Sequence, residues 1–332
     1  MRRRDGAGGV TGLVADVGGT NTRLALVGGD GRPGPARYYR NDDFPGFGAL
    51  LAAWRDDAAP PPLTGACIAV AGPVTTRRAR LTNRGWLIDR AAVAAALGLQ
   101  EPGRLRLIND LAALGHALAA LDAAQVEELR PGPSPSPSLG ASPANDQMLV
   151  AGLGTGFNIS LVQLGMVPPV VIEAELGHAS LPSSISAILT AAIGARAAGF
   201  ETYEALFSGP GLARLCACPE DGAGADAAAL ISAYDPARRD RTAHCVELTA
   251  RSMAVLAREL VFLYQPHAGL HFAGSVARGL LGSPARAVFL EALRAPGPFG
   301  DQIAGVPLRL ITDDAAGLTG AAQVVRALAR DQ

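Results

Sequence analysis

Two stretches of the chain carry the same alternation of apolar and polar positions. Leu13 to Val27 reads LVADVGGTNTRLALV and Leu149 to Val162 reads LVAGLGTGFNISLV. Each is an apolar run, a break of Gly and Thr, then a second apolar run. That pattern predicts a β-hairpin with small residues at its tip, built twice in one chain. Further strands are predicted at 66–71, which ends on Gly72-Pro73, and at 105–108, 170–173, 270–273 and 308–312. Residues 37–40 can extend the first sheet, and 79–86 read as a strand or hairpin. Apolar positions at helical spacing predict helices over 46–53, 111–121, 184–198, 245–263, 283–293 and 317–328. One more runs from an Asp89 cap through Leu97, with Gly98 beyond it. Residues 1–10 read as a frayed tail, 28–35 as a turn-rich connection and 131–145 as a low-complexity loop. Strands followed by helix alternation, twice over, predict two α/β domains of related topology.

The hairpin tips define the first chemistry. Glycine lets backbone N–H groups approach a ligand, and a threonine hydroxyl adds a donor, so each tip is a candidate phosphate site. Asp16, at the end of the first strand, would repel a bare phosphate and suits a divalent cation between the two. Asp110 follows the 105–108 strand, where ligand groups cluster in open α/β sheets. The same residue also suits a helix N-cap.

Composition narrows the options. A chain of 332 residues has room for two domains. A net charge of −1 with 18% charged residues gives no basic footprint for nucleic acid. The chain contains no lysine, which excludes a Walker P-loop, a protein-kinase strand lysine and Schiff-base chemistry. Phosphate recognition therefore rests on backbone, hydroxyls, metal and arginine. Four cysteines, Cys67, Cys216, Cys218 and Cys245, make no disulfide framework, and Cys216 with Cys218 is half a zinc site without a second close pair. The MRRRDGAGG start is not followed by an apolar signal segment, and no apolar run has the length of a membrane span. These features predict a soluble protein of a reducing cytoplasm with no membrane partner.

With DVGGTNTRLAL, INDLAALGHAL, GTG, ELGH, ETYEALFSGPGL and AGS in this order, the chain resembles the bacterial ATP-dependent glucokinases from about Gly12 to Ala327. These belong to the sugar kinase/actin superfold, α/β proteins with two ribonuclease-H-like domains and an active-site cleft between them. The cysteines come too late for the zinc signature of the repressor/open-reading-frame/kinase branch, so the zinc-free branch is implied. The resemblance implies a small domain of 1–118 plus 312–332 and a large one of 119–311. It implies phosphorylation of glucose at the 6-hydroxyl by ATP, the first step of glycolysis, with Asp110 as catalytic base. Sugar contacts fall on Asn83, Asn109, Glu175, His178 and Glu204. Nucleotide contacts fall on Asp16, Gly18, Gly19, Thr20, Asn21, Gly154, Thr155, Gly156 and Gly274, with Asp16 holding Mg²⁺ through water. Arg23 either reaches a phosphate or caps the sheet edge.

Two departures from the family pattern stand out. Leu176 replaces a glycine of Glu-Gly-Gly-His, adding bulk beside the sugar pocket, and Ser275 replaces a glycine at the adenosine strand end. Another hexose, such as fructose, mannose or an N-acetylated sugar, is the alternative substrate. A non-catalytic sugar-sensing regulator is a further alternative, although the short segment before Gly12 leaves no room for a DNA-binding module. The donor (ATP, ADP or polyphosphate) and the oligomeric state, a homodimer included, stay open.

Overall fold

The computed structural model describes residues 11–82, 84–132, 145–166, 168–217, 226–297 and 299–330. Asn83, Cys218, the 1–10 tail and most of the 131–145 loop lie outside the described residues. Contacts divide the chain into one unit of residues 1–121, 168–171 and 315–332 and a second of 122–167 and 172–314.

In the first unit, strands β1 (Gly12–Val17), β2 (Asn21–Val27), β3 (Arg37–Arg40), β4 (Gly65–Val70), β5 (Arg78–Arg80), β6 (Leu87–Asp89) and β7 (Leu105–Asn109) form two sheets. The larger has the order β3-β2-β1-β4-β7, and β5 and β6 pair as a separate hairpin. β1 runs antiparallel to β2 and parallel to β4, which runs parallel to β7. The period-two alternation of β1 sorts its side chains between layers. Leu13, Ala15 and Val17 join a core with Phe47, Leu50, Trp54 and Val93 from the helices Phe47–Ala58 and Arg90–Ala96. Val14 faces the other way, onto Leu318, Ala321 and Val325 of the helix Ala316–Arg330. Asp16 shares the Val14 face, and the Cβ missing from Gly317 would lie 3.6 Å from its carboxylate.

The second unit carries β8 (Val126–Arg130), β9 (Gln147–Leu153), β10 (Phe157–Gln163), β11 (Val170–Glu173), β12 (Gly269–Ala273) and β13 (Leu308–Ile311). Its sheet has the order β11-β10-β9-β12-β13-β8. The hairpin β9–β10 continues into the parallel pair β12 and β13, as β1–β2 continues into β4 and β7. The predicted duplication is thus visible in strand order, with β8 added at one edge. The core is built on the helix Arg241–Tyr264, whose Val246, Met253, Leu256 and Leu260 pack with Ile185 and Leu189 of the helix Ser183–Ile193. Asp240 caps the long helix, accepting from the Ala243 N–H at 2.9 Å.

Several boundaries differ from expectation. The first helix runs on to Ala58, four residues of it polar or small beyond the apolar stripe. The helix expected over 184–198 stops at Ile193, because Gly194 takes φ +59° and the chain continues as a tighter 3-10 segment. Short helices at Tyr203–Leu206, Gly209–Cys216, Ala227–Ser232 and Gly300–Gly305 were not expected.

His271 on β12 is a buried polar residue inside this second core, and its Nδ1 has no hydrogen-bond partner among the described residues. Burial, and then the Arg309 guanidinium, push its pKa down to about 3 against the pull of the Leu149 and Gly269 backbone. The unfolded chain therefore binds a proton that the folded chain refuses. The stability contribution of neutral His271 is complete above the unfolded pKa near 6.5 and is lost as pH falls from there toward 3. Over the two units from pH 6.5 to 4.5 this amounts to about 2 kcal/mol. Urea midpoints of the wild type should fall across this window, and His271→Gln should remove most of the slope. An unchanged slope in the variant would assign the acid sensitivity elsewhere.

Candidate active site

The candidate residues of the first unit gather at one edge of its sheet because the parallel strands end level. Val70 pairs with Val17 on one side and with Asn109 on the other. The hairpin tip 18–21, Gly72 and Asp110 therefore all lie just past the carboxyl ends of β1, β4 and β7. Asp110 opens the helix Asp110–Ala117, and Asn109 is its N-cap, accepting from the Leu111 N–H at 2.9 Å. The Asn109 amide also donates to the Gly72 carbonyl at 3.2 Å. One Asp110 carboxylate oxygen accepts from the Leu111 N–H at 3.0 Å. Gly72 has φ +154°, and a Cβ there would sit 2.2 Å from the Arg80 carbonyl, so only glycine fits. The N-cap expected at Asp110 is therefore Asn109, and Asp110 is the first residue of the helix. Asn109 does the capping, and the Asp110 carboxylate accepts from the same Leu111 N–H.

The first hairpin tip is held by Asn41, a buried residue absent from the sequence expectations. Its amide donates to the carbonyls of Gly18 at 2.7 Å and Gly19 at 3.2 Å, while its oxygen accepts from the Thr22 hydroxyl at 2.7 Å. Arg84 adds a bond from Nε to the Gly19 carbonyl at 3.1 Å and pairs with Asp42. With these carbonyls engaged from behind, Thr20 and Asn21 are left exposed at the tip. Arg23 donates to Asp16 at 3.2 Å and lies 5.6 Å over the Tyr38 ring.

In the second unit the tip 154–156 occupies the equivalent edge. Gly154 donates to the Gly156 carbonyl at 3.0 Å and accepts from the Gly209 N–H at 2.7 Å, at the start of the helix Gly209–Cys216 that buried Ser208 caps. Gly274 ends β12 with φ +94°, and its missing Cβ would lie 2.2 Å from the Leu153 carbonyl. That crowding requires glycine there. Ser275 opens the next helix beside Gly154 and lines a cavity of about 400 Å³ with Ala227, Ile231, Val276 and Gly279.

Glu175 and Glu204 are both anchored on the segment that leaves this tip. Glu204 rides the one-turn helix Tyr203–Leu206, and its carboxylate accepts from the Phe157 N–H at 3.1 Å. The Phe157 ring stacks on Tyr203 at 5.8 Å, tying the same peptide into the core. Glu175 accepts from the Asn158 amide at 3.0 Å. Gly177 has no room for a Cβ, which would come within 2.1 Å of the Phe157 carbonyl, so the turn Leu176–His178 lies directly on β10 and leaves His178 exposed. Leu176 does not add free bulk beside the acidic residues, since its side chain packs on the apolar core.

Among the described residues, no group of three or more His, Cys, Asp or Glu side chains could hold a metal alone. Asp16 offers a single hard carboxylate, already accepting from Arg23 at 3.2 Å, with no side chain at Gly317 crowding it. This fits a Mg²⁺ carried in by phosphates and water better than a protein cage. Among the described residues, no helix is long and apolar enough to cross a membrane.

The repeated hairpin-and-parallel-strand order with small-residue tips is the actin-like two-domain fold. A glucokinase family model matches residues 13–328. The chain is 30% identical over 319 residues to the glucokinase of Xanthomonas oryzae pv. oryzae (strain MAFF 311018), covering 93% of each. The crystal structure of glucokinase from an Antarctic psychrotroph aligns with TM-score 0.76 at 23% identity, over 96% of this chain and 99% of that one. A ROK family glucokinase from Streptomyces griseus, in complex with glucose and AMPPNP, aligns with TM-score 0.59 at 20% identity, over 96% and 99%. The chain belongs to the glucokinase family.

Proposed function

We propose that the chain transfers the γ-phosphoryl group of ATP to the 6-hydroxyl of glucose, with Asp110 as general base. The observation that carries the reading is Asp110 one residue past β7, level with the 18–21 tip, with its carboxylate accepting from the Leu111 N–H. A carboxylate there accepts the hydroxyl proton as the oxygen bonds to phosphorus. Glu175, Glu204, His178 and Asn109 bind the remaining sugar hydroxyls, which suit carboxylates because each accepts several hydrogen bonds. The tips 18–21 and 154–156 bind phosphates through backbone N–H groups other than those of Gly18 and Gly154, which close the two turns, and the cavity beside Ser275 accommodates the nucleoside. Asp16 would hold Mg²⁺, which would supply charge neutralisation at the transferring phosphates when bound. Such an enzyme works in the cytoplasm at the entry to glycolysis.

The test is an assay of sugar-phosphate formation across glucose, fructose, mannose and N-acetylglucosamine, with ATP, ADP or polyphosphate as donor. Glucose with ATP should give the highest kcat/KM, and chelation with EDTA should reduce turnover to background until Mg²⁺ is restored. A tenfold preference for another hexose or donor overturns that part of the reading, and full activity in EDTA removes the ion from Asp16.

A further inference from the structure

Asn158 lies just past the second hairpin tip and makes three hydrogen bonds at once. Its amide nitrogen donates to Glu175 Oε2 at 3.0 Å, while its oxygen accepts from the backbone N–H groups of Leu176 at 3.0 Å and Ile159 at 2.9 Å. The oxygen thus locks the amide plane to the backbone on both sides, and the nitrogen is left with one direction, toward Glu175. The side chain of Glu175 is itself exposed. An exposed glutamate otherwise samples several rotamers and must lose that freedom when it binds.

We infer that Asn158 is a positioning residue that presets the Glu175 carboxylate, so that Oε2 is half-occupied and the remaining lone pairs face a sugar in one orientation. This rests on the reading of Glu175 as a sugar ligand. The consequence is selectivity. A fixed carboxylate rewards a sugar with hydroxyls in the matching places and leaves an unpaired acceptor against one that lacks them. The same three residues, 156–158, carry the phosphate tip, the N–H that holds Glu204 and the amide that holds Glu175, so acceptor geometry is referenced to the nucleotide-binding loop.

Asn158→Asp isolates the role. Its oxygen still accepts from Leu176 and Ile159, and only the donor to Glu175 is replaced by an acceptor. At pH 8 two carboxylates then face each other, and at lower pH one shared proton restores the hydrogen bond. The other ionisable side chains on the surrounding elements are Glu173 on β11, His178 on the same turn and Tyr203 and Glu204 on the helix packed against it, and β10 has none. All are common to both proteins, so the readout is the ratio of variant to wild-type KM at each pH.

The expected result is a glucose KM raised about tenfold at pH 8, falling toward the wild-type value by pH 6, with kcat and the ATP KM within about twofold. The preference for glucose over 2-deoxyglucose should shrink in parallel. A purely structural role predicts instead a wild-type KM at every pH, because both backbone bonds survive, and that result overturns the inference. Glu175→Gln separates the two levels. If it weakens glucose binding while Asn158→Asp does not, positioning is wrong and the sugar site stands. If neither weakens it, Glu175 is not a sugar ligand and both readings fall.

Discussion

Asp110→Asn should lower kcat by about 10³-fold, equivalent to about 4 kcal/mol of transition-state stabilisation, while the protein stays folded. The substitution is nearly isosteric, and an asparagine oxygen still accepts the Leu111 N–H bond that Asp110 accepts at 3.0 Å. Asn109 remains the cap, and its bond to Gly72 is untouched. What disappears is the capacity to take a proton from the acceptor hydroxyl. Because that interaction belongs to the transition state, kcat and kcat/KM should fall together, with glucose KM within a few-fold of wild type. The thermal midpoint should move by no more than about 2 °C. Steady-state kinetics and a melting curve on one preparation check both halves, and a kcat within threefold of wild type would place the base elsewhere.

The second large effect is expected at Gly320, far along the sequence from Asp110, whose helix it packs against. The helix Ala316–Arg330 crosses the helix Asp110–Ala117 at this glycine, and a Cβ there would lie 1.7 Å from the Ala113 carbonyl and 2.8 Å from the Ala117 nitrogen. Both are backbone atoms, so no side chain can swing aside. Gly320→Ala must push the helices apart, unseating Leu318, Ala321 and Val325 from the face they share with Val14. A cost of about 2–3 kcal/mol is expected in urea unfolding. Activity should also fall, up to about 100-fold, because the displaced helix is the one that Asp110 opens. Gly48→Ala is the control. It lies in the helix Phe47–Ala58 with nothing within 4 Å of its added methyl, so it should be neutral or stabilising by about 0.5–1 kcal/mol. Equal stability of Gly320→Ala and wild type would contradict this account of how the helix is held.

The repeated hairpins were legible because both strands of each alternate against packed layers and the tips are too small to be anything but turns. Asp110 was legible from its place after an apolar run, and Glu175 and His178 from the family pattern they match. The supports were not. Asn41 sits in YRNDD and reads as a turn residue, yet it is buried on the first tip. Asn158 follows Gly-Thr-Gly-Phe and reads as part of the turn, and its three partners lie on two different segments. Strand β8 was missed because VEELR carries three charges in five residues and only Leu129 is buried. It is an antiparallel edge strand on β13, stabilised by pairing more than by apolar content. The short helices around Glu204 are set by caps at Thr202 and Ser208 and by aromatic packing of Phe157, Tyr203 and Phe207. None of these has the length from which a helical period can be read.

The central claim is phosphoryl transfer from ATP to a hexose hydroxyl at Asp110, and the most direct measurement identifies the product. Purified protein with glucose, ATP and Mg²⁺, followed by ³¹P NMR, should form glucose 6-phosphate and ADP in equal amounts, and Asp110→Asn should form neither above background. ADP released without a sugar phosphate, or phosphate appearing on a different hydroxyl, would contradict the account.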